Sequence, residues 1–303
     1  MPATDPYTVQ LAPSVHAYVQ PDGGWCLNNA AFLSDGESTV LVDTAATERR
    51  AQLLREALLA TGAPPPRTIV NTHHHGDHTY GNAVFTPEAT VVGHEACRRE
   101  VLAAGRQLDL IWPETEFGDI TITAPDLTYS ERLTLHAAGT EVRLIHPGVA
   151  HTVGDTIVHL PEHGIVFTGD LIFSGGTPFL PMGSLSGSLR SLALLRSLDA
   201  TTVVPGHGPV TDPSAYDATE RYLRYVAALA ETGRAKGLTP LETAQGADLG
   251  EFAELRESER LVANLHRAYA ELDGLPAGSP LDLVTVFTDM TVMNGGKPVA
   301  CHA

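Results

Sequence analysis

NTHHHGDHTYGN, from Asn71 to Asn82, sets three consecutive histidines before a glycine and a fourth just after an aspartate. The preceding Thr68 to Asn71 reads as a short strand, and side chains alternate as a strand runs out into a loop. His73 and His75 therefore point to one side and His74 to the other. Gly76 permits a sharp turn, so Asp77 and His78 can face back toward a second point a few ångströms away. One loop can thus serve two metal ions. A His-x-His pair by itself also occurs in surface loops, but the chain carries more of the same chemistry downstream. His151 lies in HPGVAHTVGD, Asp170 in VFTGDLIF at the end of an apolar strand, and His207 in VVPGHG at the end of another. Each is expected where a strand gives way to a glycine-containing loop, so that a rigid sheet holds the ligand while the backbone turns.

Around these motifs the hydrophobic period changes in an ordered way. Strands are predicted at Tyr7 to Leu11, Val15 to Val19, Cys26 to Leu33 and Thr39 to Val42, opening a sheet as a meander. Ala51, Leu54 and Leu58 stripe a helix over Thr47 to Ala60, which GAPPP stops. A second set repeats the theme: strands at Glu141 to Ile145, Thr156 to Leu160, Ile165 to Thr168 and Thr202 to Val204, with a leucine-striped helix near Leu189 to Leu198. Two sheet-plus-helix halves follow. Asp212-Pro213 suits the cap and first turn of a further helix striped by Tyr216, Leu223, Val226 and Ala230, and another spans about Ser258 to Leu272. We divide the chain into a core over 1–211 and a C-terminal helical extension and tail over 212–303.

The whole chain narrows the function classes. Its 303 residues, 43% hydrophobic, can bury a sizeable core. A formal net charge of -17 disfavours nucleic acid and anionic membrane surfaces as partners. The start, MPATDPYTVQLAP, has no basic region followed by an apolar one, and no apolar run reaches the roughly 18 residues of a membrane span, so a cytoplasmic location is expected. Cys26, Cys97 and Cys301 are too scattered for a disulfide framework or a CxxC zinc site.

Taken together, HxHxDH followed by His, Asp and His in later loops resembles the metallo-β-lactamase superfamily, over most of the chain. The resemblance implies an αββα sandwich, an α/β fold, with a dinuclear metal site at the sheet edge. Carried over position by position, His73, His75 and His151 would hold one metal, Asp77, His78 and His207 the second, and Asp170 would bridge. Asp43, closing VLVD, resembles the aspartate that supports the metal loop by hydrogen bonding. An aspartate at 170, where many lactamases have cysteine, is similar to the glyoxalase II-like hydrolases of thioesters. Five imidazoles and two carboxylates suit two Zn(II) ions, with Fe or Mn as alternatives. Such metals lower the pKa of bound water to about 7 and polarise a carbonyl, and Asp77 is placed to pass a proton to a leaving group, Asp77 and Asp170 being the catalytic carboxylates. His94, His136, His146, His159 and His163 are read as structural.

Two glycine-punctuated apolar loops, carrying Trp112 and Phe117 and then Phe179 and Met182, are expected to wall a hydrophobic cleft. YVQPDGGWCLNNAAF, GGTPF and the ending NGGKPVACHA further resemble bacterial bicyclase-thioesterases of type II aromatic polyketide pathways. That implies an acyl substrate on an acyl carrier protein, docked through arginines such as Arg98, Arg99 and Arg106 or Arg221 and Arg224. Oligomeric state, a homodimer included, stays open. Rival readings are a lactonase or other small-ester hydrolase, an iron persulfide dioxygenase, and a binding protein on a degenerate fold.

Overall fold

The computed structural model describes residues 5–303. The opening Met1 to Thr4, read above for a targeting signal, lies outside them. Strands β1 Tyr7–Ala12, β2 Val15–Val19, β3 Ala30–Ser34 and β4 Thr39–Val42 form the antiparallel meander. Helix α1 Glu48–Ala60 crosses over to β5 Thr68–Val70, and α2 Gly76–Thr79 leads on to β6 Thr90–His94. Helices α3 Glu95–Ala104 and α4 Gln107–Ile111 precede β7 Leu127–Tyr129. Strands β4 to β7 are parallel, and β1 to β7 make one seven-stranded sheet in sequence order. The second sheet has five strands: β8 Arg132–Ala137, β9 Thr140–Ile145, β10 Ile157–Leu160, β11 Ile165–Phe173 and β12 Thr202–His207, the last two parallel and linked through α5 Leu185–Arg196.

Period-two alternation stacks the layers. Val15, Ala17, Val40, Val42, Val70 and Val92 face Val142, Leu144, Val158 and Phe167 between the sheets. Their neighbours Phe32, Leu41, Ile69 and Val91 face outward onto Ala51, Leu54 and Leu58 of α1. Thr47 caps α1 by accepting from the Arg50 amide, an interaction worth about 1 kcal/mol. The outer face of the second sheet is covered by α5 together with α6 Ser214–Ala235, α7 Pro240–Gln245, α8 Arg260–Leu272 and α9 Leu283–Met293. Leu192, Leu195, Tyr216, Leu223, Val226, Leu261 and Leu265 share one buried cluster with Ile172 of β11. The result is the predicted αββα sandwich. No helix of the described residues is long and apolar enough to cross a membrane.

Three local expectations are corrected. The strand predicted from Cys26 starts only at Ala30, because Cys26 takes φ 66° and Leu27 bonds back to Gly24 in a turn. Strand β11 runs on through Phe173, so Asp170 lies inside it rather than at its end, at an irregularity in the pairing with β12. The helix after Asp212 begins at Ser214, and the Asp212 carboxylate accepts from the Ser214 amide in the turn before it.

Candidate metal centre

Parallel strands deliver their C-terminal ends to the same edge of a sheet. Asp43 follows β4 and Asn71 to His75 follow β5, while β12 of the other sheet ends at His207. The two edges are tied by Asn29, whose amide donates to Gly206 O and whose side chain donates to the Pro205 and Gly208 carbonyls. Gly206 is needed for closeness: a Cβ there would come within 1.9 Å of Asp170 Oδ1. Gly76 plays a different part from the one expected. The chain turns through the short helix α2, and Gly76 is small because a Cβ would meet the Tyr80 ring at 2.6 Å.

Two groups of ligand atoms result, His73, His75, His151 and Asp170 in one, Asp77, His78 and His207 in the other, the atoms of each lying within 4.8 Å of one another. Asp170 touches both. Its Oδ2 is 3.4 Å from His151 Nε2 and 3.5 Å from His207 Nε2, and its Oδ1 is 3.2 Å from His78 Nε2. His74 belongs to neither group, as the alternation required, and nor do His94, His136, His146, His159 or His163.

Each of the five rings is anchored by one nitrogen and aims the other inward. His78 Nδ1 donates to Asp43 Oδ2 at 2.8 Å, His151 Nδ1 to Phe179 O at 2.6 Å and His207 Nδ1 to Gly23 O at 3.2 Å. His73 Nδ1 meets the Thr72 hydroxyl at 3.0 Å, and His75 Nε2 meets Met182 Sδ at 3.1 Å. These partners fix the tautomers. Asp43, at φ 57°, accepts from both the Thr72 amide (2.7 Å) and the Thr72 hydroxyl (2.6 Å), so one carboxylate steadies His73 through Thr72 and His78 directly.

The inward atoms then pose a problem that a cation solves. The Nε2 atoms of His73 and His151 each lie 3.0 Å from His75 Nδ1, so lone pairs converge. His78 Nε2 and Asp170 Oδ1, 3.2 Å apart, are both buried and form no hydrogen bond with each other or with any other described group. Buried polar atoms are costly when unpaired, and an imidazole and carboxylate donor set of this kind suits divalent transition metals. The residues therefore fit metal ions. Protonation differs across the cluster. Burial holds His73 and His75 well below the usual imidazole value and His151 down at about 4. Burial also opposes charge on His207, but the Asp170 and Asp77 carboxylates outweigh it and raise that ring to about 9.

Above the cluster lies a chamber with Asp77, Asp170, His75 and His207 at its floor. Of the predicted wall residues, Trp112, Phe179 and Met182 line it. Phe117 does not: it is buried beneath, edge-on to Tyr80 at 5.9 Å, with its carbonyl accepting from the Glu48 amide. Leu108 and Ile111 of the Trp112 loop line it too, and Trp25, Phe173, Arg260 and Phe287, which were missed, add to the wall. Trp25 packs on Phe179 at 5.0 Å and Trp112 at 5.6 Å, with the Arg260 guanidinium 3.8 Å over its ring. Its indole donates to Glu259 at 2.9 Å, and the Trp112 indole donates to Val299 O of the tail at 2.9 Å. A tryptophan straight after PDGG was the one local signal available; Arg260 and Phe287 carried none. Cys26 also lines the chamber, and all three cysteines are free.

Comparison with known proteins gives this geometry its lineage. Residues 23–207 match the model of the metallo-beta-lactamase superfamily. The alpha subunit of 2,4-dinitroanisole O-demethylase from Nocardioides sp. is 30% identical over 190 residues, 60% of this chain and 54% of that one. Hydroxyacylglutathione hydrolases from Synechococcus sp. (33% over 140 residues, 45% of this chain and 46% of theirs) and Tolumonas auensis (31% over 184, 58% and 59%) are also similar. The chain thus spans about half the length of the curated relatives it matches. In fold it is similar to a metallo-beta-lactamase from Pontibacter korlensis (TM-score 0.57, 24% identity, 73% of this chain and 99% of that one) and to DIM-1 metallo-beta-lactamase (0.59, 20%, 73% and 98%). With the family model covering more than half of its residues and both sheets arranged around the histidine and aspartate groups, the chain belongs to the metallo-beta-lactamase superfamily.

Proposed function

We propose that this superfamily hydrolase is a two-zinc thioesterase acting on apolar acyl groups. The observation that carries the reading is a pair of ligand groups sharing Asp170 directly beneath an aromatic chamber. His73, His75 and His151 would hold one ion and Asp77, His78 and His207 the other, with Asp170 between them. Metal ions there supply Lewis acidity, which polarises an acyl carbonyl and lowers the pKa of water to about 7.

The chain's own residues do the rest. Trp25, Trp112 and Phe179 hold the acyl group over the floor and keep bulk water from it. Asp43 and Thr72 keep the rings in one orientation, so no reorganisation is needed when charge develops on the carbonyl oxygen. Asp77 opens onto the chamber and is the carboxylate placed to relay a proton to the departing group. Burial works against its charge, yet the His78 and His207 rings hold its carboxyl below the usual range, so it stays ionised and is a poor proton donor. That suits a thiolate, which leaves with little protonation because a thiol has a pKa of about 8.5, better than it suits an amine. The hydroxyacylglutathione hydrolases among the relatives point the same way by name.

The finer reading is release, with closure of a second ring, of an aromatic polyketide from an acyl carrier protein. It is supported by the aromatic wall and the resemblance of the tail motif NGGKPVACHA. Docking through arginines has less support: Arg106, Arg221 and Arg224 are engaged with Asp109, Glu251 and Glu220 of the same chain.

The test is metal content measured beside turnover of thioesters, lactones and sulfide-derived persulfides, with and without chelator. Two zinc ions per chain with chelator-sensitive thioester hydrolysis is the expected result. One iron with persulfide-dependent oxygen uptake, or lactones turned over far faster than thioesters, would replace this reading by one of its rivals.

A further inference from the structure

The chamber over the metal floor is too small for the substrate proposed for it. Its cavity is about 50 Å³, whereas sites that enclose a drug-sized ligand span about 300–1,000 Å³. Next to it runs a second cavity of about 400 Å³, open to solvent, between α4 and α9, and Ile111 and Phe287 line both. On α9 the groove takes Leu283, Val284, Phe287, Thr288 and Thr291, one continuous stripe, while Val286 and Met290 face the core. Eight residues of helical rise give that stripe a length of about 12 Å. Across from it on α4, Leu110 is 83% exposed, and Val284 on the stripe itself 78%, unusually open for large apolar side chains flanking one groove. Among the described residues no charged side chain lines it, and Gln107 with Pro298 and Val299 of the tail adds to its lining.

We propose that the groove between α4 and α9 binds the distal, apolar part of the acyl group, with Leu110 and Val284 setting the length that is preferred. The inference rests on the thioesterase reading for the identity of the occupant. An acyl carbonyl seated at the floor leaves room in the chamber for only its first few atoms. The remainder passes between Ile111 and Phe287 and lies along α9, where Gln107, Thr288 and Thr291 can meet occasional oxygen substituents. An extended acyl group with its polar atoms sparse is thus favoured over a short acyl group.

Two measurements on the full metal-loaded chain test this. The first is binding, by calorimetry, of non-hydrolysable S-alkyl-N-acetylcysteamine thioethers with two to twelve carbons. The second is turnover of the matching acyl thioesters. Affinity is expected to rise about two- to fourfold per methylene, the range for burying a CH2 by half or wholly. Leu110→Asp and Val284→Asp should each cut the long-to-short affinity ratio at least tenfold, whereas Leu102→Asp, on exposed surface outside the groove, should leave it as it is. A ratio unchanged in both groove variants, or affinity flat with chain length, overturns the proposal. So does conversion of a dimer to monomer by those variants with the ratio unaltered, which would make the groove a self-association surface. Length-dependent binding without turnover of any thioester would sink the thioesterase reading and leave the groove standing.

Discussion

The metal floor and the aromatic wall meet at Asp77 and Asp170 but are held together by opposite means. The floor is assembled from loops and from a carboxylate inside β11, each ring pinned by its own hydrogen bond to Asp43, Thr72, Gly23, Phe179 or Met182. The wall is a packing of rings contributed by the segment around Trp25, by the Phe173 to Met182 stretch, by α4 and by the C-terminal helices, joined through contacts such as Trp25 to Glu259 across 234 residues. Directional bonds make the floor specific for a donor geometry and intolerant of change. Non-directional packing makes the wall adjustable, so the superfamily chemistry can stay fixed while the substrate varies.

The comparison predicts that changes on the floor strike the chemistry and the metal, and changes in the wall strike substrate preference. The largest effect belongs to Asp170→Ala, which removes the carboxylate that reaches ligand atoms of both groups. Several kcal/mol of lost transition-state stabilisation amounts to roughly a thousandfold in kcat/KM. Metal analysis on the same variant should show less than the wild-type content, and full turnover with full metal would break the division. Asp43→Ala, which never meets substrate, should weaken metal affinity by about 10- to 100-fold in a chelator competition, with the tryptophan fluorescence of the wall unaltered.

Acid should separate the two ligand groups. His207, raised to about 9, competes with metal through its proton at any lower pH, by about tenfold in apparent affinity per unit while it is the titrating group. His151, lowered to about 4, stays unprotonated down to that range and offers its lone pair throughout. As pH falls from 9 to 5 the Asp77, His78 and His207 group should therefore release its ion first, and dialysis at stepped pH followed by metal analysis would follow it. Simultaneous loss of both ions would contradict the assignment.

Smaller effects are expected in the wall. Phe287→Ala should lower kcat/KM for bulky acyl thioesters by about tenfold or somewhat more, the worth of burying an aromatic side chain, with metal content kept. Phe117→Leu is the smallest for activity, within about threefold, because Phe117 packs under the site rather than on it. Its cost should appear as a lowered Tm, about 1–2 kcal/mol of stability. A variant at 117 that changed substrate preference without changing Tm would return Phe117 to the chamber wall.

Much of the floor could be read before any coordinates because its signals are local. The HxHxDH spacing, the alternation that excludes His74 and the placing of His207 at a strand end all follow from a handful of neighbouring residues, whereas His151, expected beside a strand, sits in mid-loop between β9 and β10. Asp170 falls in the expected ligand group although its strand runs on past it, since VFTGDLIF is apolar on both sides of the carboxylate and strand length is decided by pairing with β12. The wall was legible only in part. Trp112 and Phe117 come from one apolar loop with the same local character, yet one lines the chamber and the other fills the core.

The sequence by itself determined which atoms can grip a metal, because imidazoles and carboxylates announce their chemistry wherever they stand and the two-residue period of a strand sorts them by face. Only the tertiary structure decided what surrounds them. Apolar side chains look alike in a core and in a pocket, and which role Arg260, Phe287 or Phe117 plays depends on segments brought together across the whole chain rather than on its neighbours in sequence.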